Sequence, residues 1–239
     1  MTRSDDFVEK TIVVTGGAGG IGGGVVRALR ARGATVAVLD IAQSSDATLS
    51  ITCDVTEARD VAAGMRRVRS EFGDPELLVC AAGVVKEFPF EDLELEEWQR
   101  VIDVSLTSVY LITREMLPGM VRRGGGAVVT MSSGWGRKGY PFGSNYAAAK
   151  SGVEALSKSL ALEYALRGVR VNSVAPGPVK TAMIQDNPAF DEHKKAAAIP
   201  MGRLGEIDDI VAPILFLLGE ESAYITGQVL HVNGGLLMP

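Results

Sequence analysis

Short runs of consecutive apolar, β-branched residues alternate along the chain with stretches in which apolar positions recur every three or four residues. Thr11–Thr15 is the first such run, and Gly20–Arg32 follows with helical spacing at Ile21, Val25, Val26 and Leu29. Thr35–Leu39, Thr48–Cys53, a helical stretch over Ala58–Phe72, and Leu77–Cys80 continue the alternation. Ala127–Met131, Val169–Val174 and Gln228–Val232 complete it, separated by long helical segments. A strand that faces water on one side alternates apolar with polar; these runs are apolar throughout, the pattern of strands covered on both faces. The order β-α-β therefore predicts one doubly wound parallel sheet of about seven strands with helices on both faces, its ligands held at the carboxyl ends of the strands. No repeat, low-complexity tract or linker interrupts residues 1–239, so a single domain is expected. Two helical stretches stand out. Val101–Met116 is apolar around much of its circumference, and Asn145–Leu166 is rich in small residues such as Ala147–Ala149, Gly152 and Ala155. A helix apolar on more than one face needs a second partner, which predicts a subunit interface and a homo-oligomer, read as a tetramer.

Composition narrows the function classes. The chain has 239 residues, 46% of them apolar, 22% charged, with a net charge of -5. An acidic balance argues against nucleic acid, whose phosphates need a basic face. No apolar run reaches the roughly 18 residues of a membrane span, and Met1–Lys10 lacks the apolar stretch of a secretion signal. Cys53 and Cys80 each end an apolar run and read as buried thiols in a reduced cytoplasm. His193 and His231 are far apart in sequence and form no ligand cluster, so no metal is expected.

The first strand runs directly into Thr15-Gly16-Gly17-Ala18-Gly19-Gly20-Ile21-Gly22, which opens the next helix. Glycines there allow a tight turn and close backbone approach to a pyrophosphate, which a helix N-terminus favours electrostatically. Between a strand and a helix, this turn marks a dinucleotide site of Rossmann type. Asp40 ends the second strand, where a carboxylate accepts hydrogen bonds from a ribose 2′-hydroxyl and repels a 2′-phosphate. With no Lys or Arg in the turn or just after Asp40, NAD is expected in preference to NADP. Asp54, followed by Val55, either meets the adenine edge or caps the next helix.

Tyr146 and Lys150 are four residues apart on one face of a predicted helix. Ser133 lies thirteen residues before Tyr146, just past the strand Ala127–Met131, so the three can converge. Ser132 is adjacent, and spacing decides between the two serines. In this arrangement the chain resembles the short-chain dehydrogenase/reductase family. The likeness runs from the Thr15–Gly22 turn through Ser133, Tyr146-Ala-Ala-Ala-Lys150 and Pro176-Gly177-Pro178-Val179-Lys180-Thr181. It continues through Arg203-Leu-Gly205, Tyr224-Ile-Thr-Gly227-Gln228 and Asn233-Gly-Gly235. The resemblance implies that Tyr146 exchanges a proton with the substrate oxygen, Ser133 hydrogen-bonds that oxygen and Lys150 holds the nicotinamide ribose. It also implies a cofactor framed by Gly16, Gly20, Ile21, Gly22, Asp40, Asp54, Val55, Ala82, Gly83, Pro176, Gly177, Val179 and Thr181. A free tyrosine, with a pKa of about 10, is a poor base at neutral pH, and a neighbouring ammonium together with the positive nicotinamide ring is expected to favour its phenolate.

Two positions depart from the family. Ser105 stands where an asparagine usually holds a water in a proton relay to the lysine, so a weakened or re-routed relay is expected. Cys80-Ala81-Ala82-Gly83 replaces a pair of asparagines before Ala-Gly, and a small structural adjustment is expected there. Trp135, Tyr140, Phe142 and Met183, with Val85 and Phe88, are candidate pocket residues, and Ile184–Pro200 a candidate lid. Lys194 and Lys195 read as a solvated helix face, which leaves a mostly apolar secondary alcohol or ketone as the expected substrate. Two alternatives stay open. One is a 3-oxoacyl-carrier-protein reductase, a group that generally uses NADPH and that Asp40 counts against. The other is a catalytically silent NAD-binding scaffold or sensor, opposed by the intact Ser133, Tyr146 and Lys150. A hydrolase lacks its Gly-x-Ser-x-Gly elbow.

Overall fold

A computed structural model of the chain describes residues 7–182 and 191–238. Its strands are β1 (Thr11–Thr15), β2 (Thr35–Asp40), β3 (Leu49–Thr52), β4 (Leu77–Cys80), β5 (Gly126–Met131), β6 (Val169–Pro176) and β7 (Val229–Val232). The described α-helices are α1 (Gly20–Ala31), α2 (Ala58–Phe72), α3 (Leu95–Ile102), α4 (Ser108–Arg122), α5 (Trp135–Lys138), α6 (Ser144–Tyr164), α7 (Glu192–Ala197) and α8 (Ile207–Leu218). The seven strands form one sheet in the order β3-β2-β1-β4-β5-β6-β7, every pairing parallel. This is the doubly wound, Rossmann-type architecture expected from the apolar runs.

Alternation along each strand sends side chains into two separate cores. Ile12 and Val14 of β1, Leu77 and Val79 of β4, and Val129 and Met131 of β5 meet Val25, Val26 and Leu29 of α1 and Ile210 and Ile214 of α8 on one face. Val13, Leu78, Cys80 and Val128 point the other way, into Met65 of α2, Ile112 and Met116 of α4 and Val153 of α6. Continuous apolarity in the strands is the consequence of this double burial. The chain order reverses between β1 and β4, which opens a crevice at their carboxyl ends. Among the described residues no helix is long and apolar enough to cross a membrane.

The stretch read as one helix, Val101–Met116, differs. It starts earlier, at Leu95, and between α3 and α4 it widens into a π-helical turn at Asp103–Thr107. Ser105 sits in that turn, fully buried, and its Oγ meets the backbone of Val84, accepting from the amide at 3.3 Å and donating to the carbonyl at 3.4 Å. One extra residue in a turn is a tertiary accommodation that hydrophobic periodicity does not record.

Candidate active site

Two adjoining cavities occupy the crevice. The larger, about 1010 Å³, runs from the glycine turn past Asp40 and Asp54. The smaller, about 530 Å³, contains Ser133, Tyr146 and Lys150. Ile21, Ala81, Gly83 and Thr181 line both, so the two spaces share a wall.

The larger cavity is shaped by backbone. Gly16 has φ +68°, and a Cβ there would lie 2.5 Å from the Ala82 amide nitrogen; a Cβ on Gly22 would lie 2.1 Å from the Gly16 carbonyl oxygen. Any side chain at either position would close the turn. At the start of α1, Gly19 offers no side-chain cap and the first turn holds no acidic residue. Its unpaired amides are thus left for an anion in the cavity. Asp40 accepts from the Ala18 amide through one oxygen and the Ala42 amide through the other, each at 3.0 Å, which fixes its carboxylate against the glycine turn. Asp54 accepts from both the amide and the hydroxyl of Thr56, at 2.9 and 2.7 Å. This is a local turn and not a helix cap, since Glu57 is the residue that caps α2, and Asp54 lines the cavity beside Val55. Of the described charged residues lining this space, Asp40, Asp54, Glu96 and Asp103 are acidic and Arg100 alone is basic.

The smaller cavity collects the catalytic candidates. Ser133 leaves the end of β5 and Tyr146 rises from the first turn of α6, and both side chains line this cavity. The Lys150 ammonium lies 5.5 Å from the centre of the Tyr146 ring and donates to the Met131 carbonyl at 2.7 Å. Lys150 is 4% exposed, and burial pulls its pKa down to about 8. Burial pushes the Tyr146 phenol up, and the Ser133 hydroxyl works against that. The expected lowering of Tyr146 by Lys150 is therefore not what the chain's own groups produce: loss of solvent around the phenol dominates. The same burial raises Cys80, behind Lys150, to about 12, and Cys53 to about 11, so both are inert buried thiols.

Lys150 carries a stability cost with a definite sign. Its folded pKa, about 8, lies below the ordinary 10.5, so the cost is complete below pH 8 and fades as pH rises toward 10.5. At 1.36 kcal/mol per pH unit this is roughly 3 kcal/mol, offset by about 1 kcal/mol from the bond to Met131. Lys150→Met is expected to melt about 4–8 °C higher than the parent at pH 7 and close to it at pH 10, by thermal denaturation. A lower melting temperature at pH 7 would contradict this.

Behind the site a buried network holds its floor. Glu154, two turns beyond Tyr146 on α6 and 4% exposed, accepts from the Ser132 hydroxyl at 2.8 Å. Its other oxygen meets Arg137 of α5 at 2.7 Å. This ties the segment after β5, which carries Ser133, to the helix that carries Tyr146 and Lys150. Glu154→Gln is expected to lower stability by about 1–2 kcal/mol and to lower kcat more than it raises KM. Unchanged melting and kinetics would show the network to be incidental.

The pocket walls match the sequence reading in part. Trp135 and Tyr140 stack at 4.5 Å, and Tyr140 meets Tyr146 edge-on at 6.4 Å. Tyr140 donates to Glu87, and Val85 lines the cavity. Phe142 also lines it and is held at φ +65°, a left-handed conformation uncommon for an aromatic. Its carbonyl accepts from the Phe88 amide at 2.6 Å. Phe88 itself lines neither cavity; its contribution is this backbone clasp. Met183 and the first part of the expected lid lie outside the described residues. Of the two lysines read as solvated, Lys195 lines the smaller cavity.

Pro176, Gly177 and Val179 line the smaller cavity and Ala82 the larger. The Arg203-Leu-Gly205 segment supports them: Gly205 bridges Val179, and Lys180 donates to its carbonyl at 2.9 Å. One wall was not anticipated. Asn233, Leu236 and Leu237 close the pocket from the C-terminal side. Asn233 shapes that turn by accepting from the Gly235 amide at 3.0 Å and donating to the Leu237 carbonyl at 2.9 Å. The pair of leucines after Asn233-Gly-Gly235 was the available signal.

Residues 16–237 match a family model described as enoyl-(acyl carrier protein) reductase. The chain belongs to the short-chain dehydrogenase/reductase family. It is 38% identical to cis-4-hydroxycyclohexanecarboxylate dehydrogenase of Sinomonas cyclohexanicum, over 96% of this chain and 97% of that one. It is 35% identical to the 3-oxoacyl-(acyl-carrier-protein) reductase FabG of Escherichia coli (strain K12), over 98% and 99%. The ligand-free structure of Thermoplasma acidophilum aldohexose dehydrogenase superposes with a TM-score of 0.92 at 30% identity, covering 97% of this chain and 95% of that one. As a short-chain dehydrogenase/reductase the chain is an oxidoreductase of CH–OH or keto groups that binds a nicotinamide cofactor. Its residues fit such a cofactor: the side-chain-free cradle at Gly16 and Gly22 and the uncapped start of α1 suit a pyrophosphate.

Proposed function

We propose that residues 1–239 form one catalytic domain that transfers hydride between NAD(H) and a mostly apolar secondary alcohol or ketone. The observation that carries this reading is the meeting of Tyr146, Ser133 and Lys150 in a cavity that shares its wall with the glycine-turn cavity. When bound, the oxidised nicotinamide accepts hydride and adds a positive charge beside the phenol. Tyr146 takes the hydroxyl proton in oxidation and returns it in reduction. Ser133 donates to the oxygen as charge develops on it. Lys150, anchored by Met131, is assigned to the nicotinamide ribose. Ser105 is assigned a positioning role, keeping the backbone at Gly83 and Val84 beside Lys150. Its proton is directed at Val84, so a relay through it would use its remaining lone pair.

The excess of carboxylates around the larger cavity, with Asp40 fixed at the end of β2, supports NAD over NADP, because a 2′-phosphate would be repelled there. A homo-oligomer, read as a tetramer, is supported by apolar residues left exposed on two sides. Leu162, 85% exposed, and Tyr110 lie on the outer faces of α6 and α4; Leu230 lies on the edge strand β7, and Tyr224 and Phe216 are exposed as well. The likeness to a 3-oxoacyl-(acyl-carrier-protein) reductase favours a second reading, reduction of a 3-oxoacyl thioester. Rates on acetoacetyl-CoA and on simple cyclic ketones, each with NADH and NADPH, separate the two. Faster turnover of the ketone with NADH is expected; a dominant NADPH-linked thioester rate would favour the second reading.

A further inference from the structure

The smaller cavity has an apolar body and a cationic rim. Its walls include Val85, Trp135, Tyr140, Phe142, Leu236 and Leu237. Besides the buried Lys150, its lining contains two lysines from separate elements, Lys138 at the end of α5 and Lys195 in α7. Neither has a carboxylate within salt-bridge distance among the described residues. Lys180 on a neighbouring segment differs, since Glu192 and Glu206 neutralise it at 3.1 Å each. The Lys138 ammonium is held 5.8 Å from the centre of the Trp135 ring, so it stays against the pocket wall. Among the described residues Glu87 is the one carboxylate lining the cavity, and it accepts the Tyr140 hydroxyl. At the rim, then, two cations stand against a single carboxylate that already has a donor.

We propose that this rim selects an anionic substrate: a hydroxy or keto carboxylic acid whose apolar frame fills the cavity and whose carboxylate is held by Lys138 and Lys195 while the carbinol meets Tyr146. The inference rests on the alcohol-oxidising reading and adds to it the polar anchor that the sequence did not disclose. Both lysines are exposed, so each contributes as a solvated cation does, a few-fold in affinity and sensitive to salt, and together they act as a gate on charge. A carrier-bound acyl thioester would leave a neutral chain in the cavity and make no use of the pair.

Two arms test this. In the first, 4-hydroxycyclohexanecarboxylate and 3-hydroxybutyrate are each compared with their methyl esters for NAD-linked turnover. The acids are expected to exceed their esters by about tenfold in kcat/KM at low ionic strength, with the preference shrinking in high salt. Lys138→Gln and Lys195→Gln should each raise the KM of the acids about threefold, and the double variant should no longer distinguish acid from ester. In the second, the unreactive cyclohexanecarboxylate and its amide are titrated against the NAD-loaded protein by calorimetry, a readout independent of turnover. The acid should bind about tenfold tighter, and the two substitutions should remove the difference. Acid and amide binding alike, or esters turned over as well as acids, would overturn the proposal and leave the alcohol-oxidising reading standing. Tighter binding of the acid with no NAD-linked turnover of any alcohol would do the reverse.

Discussion

Tyr146→Phe is expected to lower kcat by about 10²–10⁴-fold while the cofactor still binds. The range is that of a lost general acid/base. Phenylalanine keeps the ring that Tyr140 meets edge-on and Lys150 faces, and removes only the phenol oxygen. The loss should appear in kcat, because the proton is transferred in the transition state rather than in the bound ground state. Steady-state kinetics with a fluorescence titration of NADH on the same variant separates the two effects. A near-normal kcat would remove Tyr146 from the chemistry; loss of NADH binding would mean the substitution had damaged the fold instead.

The next largest effect is expected at Asp40. Its two oxygens are committed to the Ala18 and Ala42 amides, so the carboxylate is held where a 2′-substituent on the ribose would meet it. Ile41 beside it is 75% exposed and lines the same cavity, so an arginine there has room to extend. Asp40→Ser combined with Ile41→Arg is expected to swing the ratio of kcat/KM for NADP over NAD upward by about 100-fold. This is the effect of replacing a repulsive charge by an attractive one a few ångströms from a phosphate at intermediate dielectric. Asp40→Ser alone should fall between, and should weaken NAD. An unchanged ratio in the double variant would mean that cofactor choice is made elsewhere.

Much of this site could be read from the chain before any coordinates. The strands were legible because burial on both faces leaves them apolar at every position. The glycine turn was legible because its meaning depends only on the strand before and the helix after. Tyr146 and Lys150 lie one helical turn apart, so local geometry alone brings them together. What escaped depends on segments far apart in sequence. Glu154 reads as a surface acid of α6 until Arg137 and Ser132 are brought against it. Leu236 and Leu237 become a pocket wall only because Asn233 turns the C-terminal segment back over Pro176 and Gly177. Lys195 lines a cavity that residues distant in sequence build, not bulk solvent alone. The π turn at Ser105 and the left-handed Phe142 are local distortions fixed by tertiary contacts with Val84 and Phe88. At the Tyr146 phenol the chain's own groups work against the phenolate, because burial acts on both partners; the positive nicotinamide ring, the other half of the expected lowering, comes only with the cofactor.

Whether the protein is an NAD-linked alcohol dehydrogenase or ketone reductase is decided by one assay. Parent enzyme is mixed with a panel of secondary alcohols, and with the matching ketones in reverse, and absorbance at 340 nm is followed with NAD and NADP cofactors side by side. Turnover of at least one alcohol–ketone pair is expected, with a clear preference for NAD. No nicotinamide-linked turnover across the panel, or a preference for NADP, would contradict it.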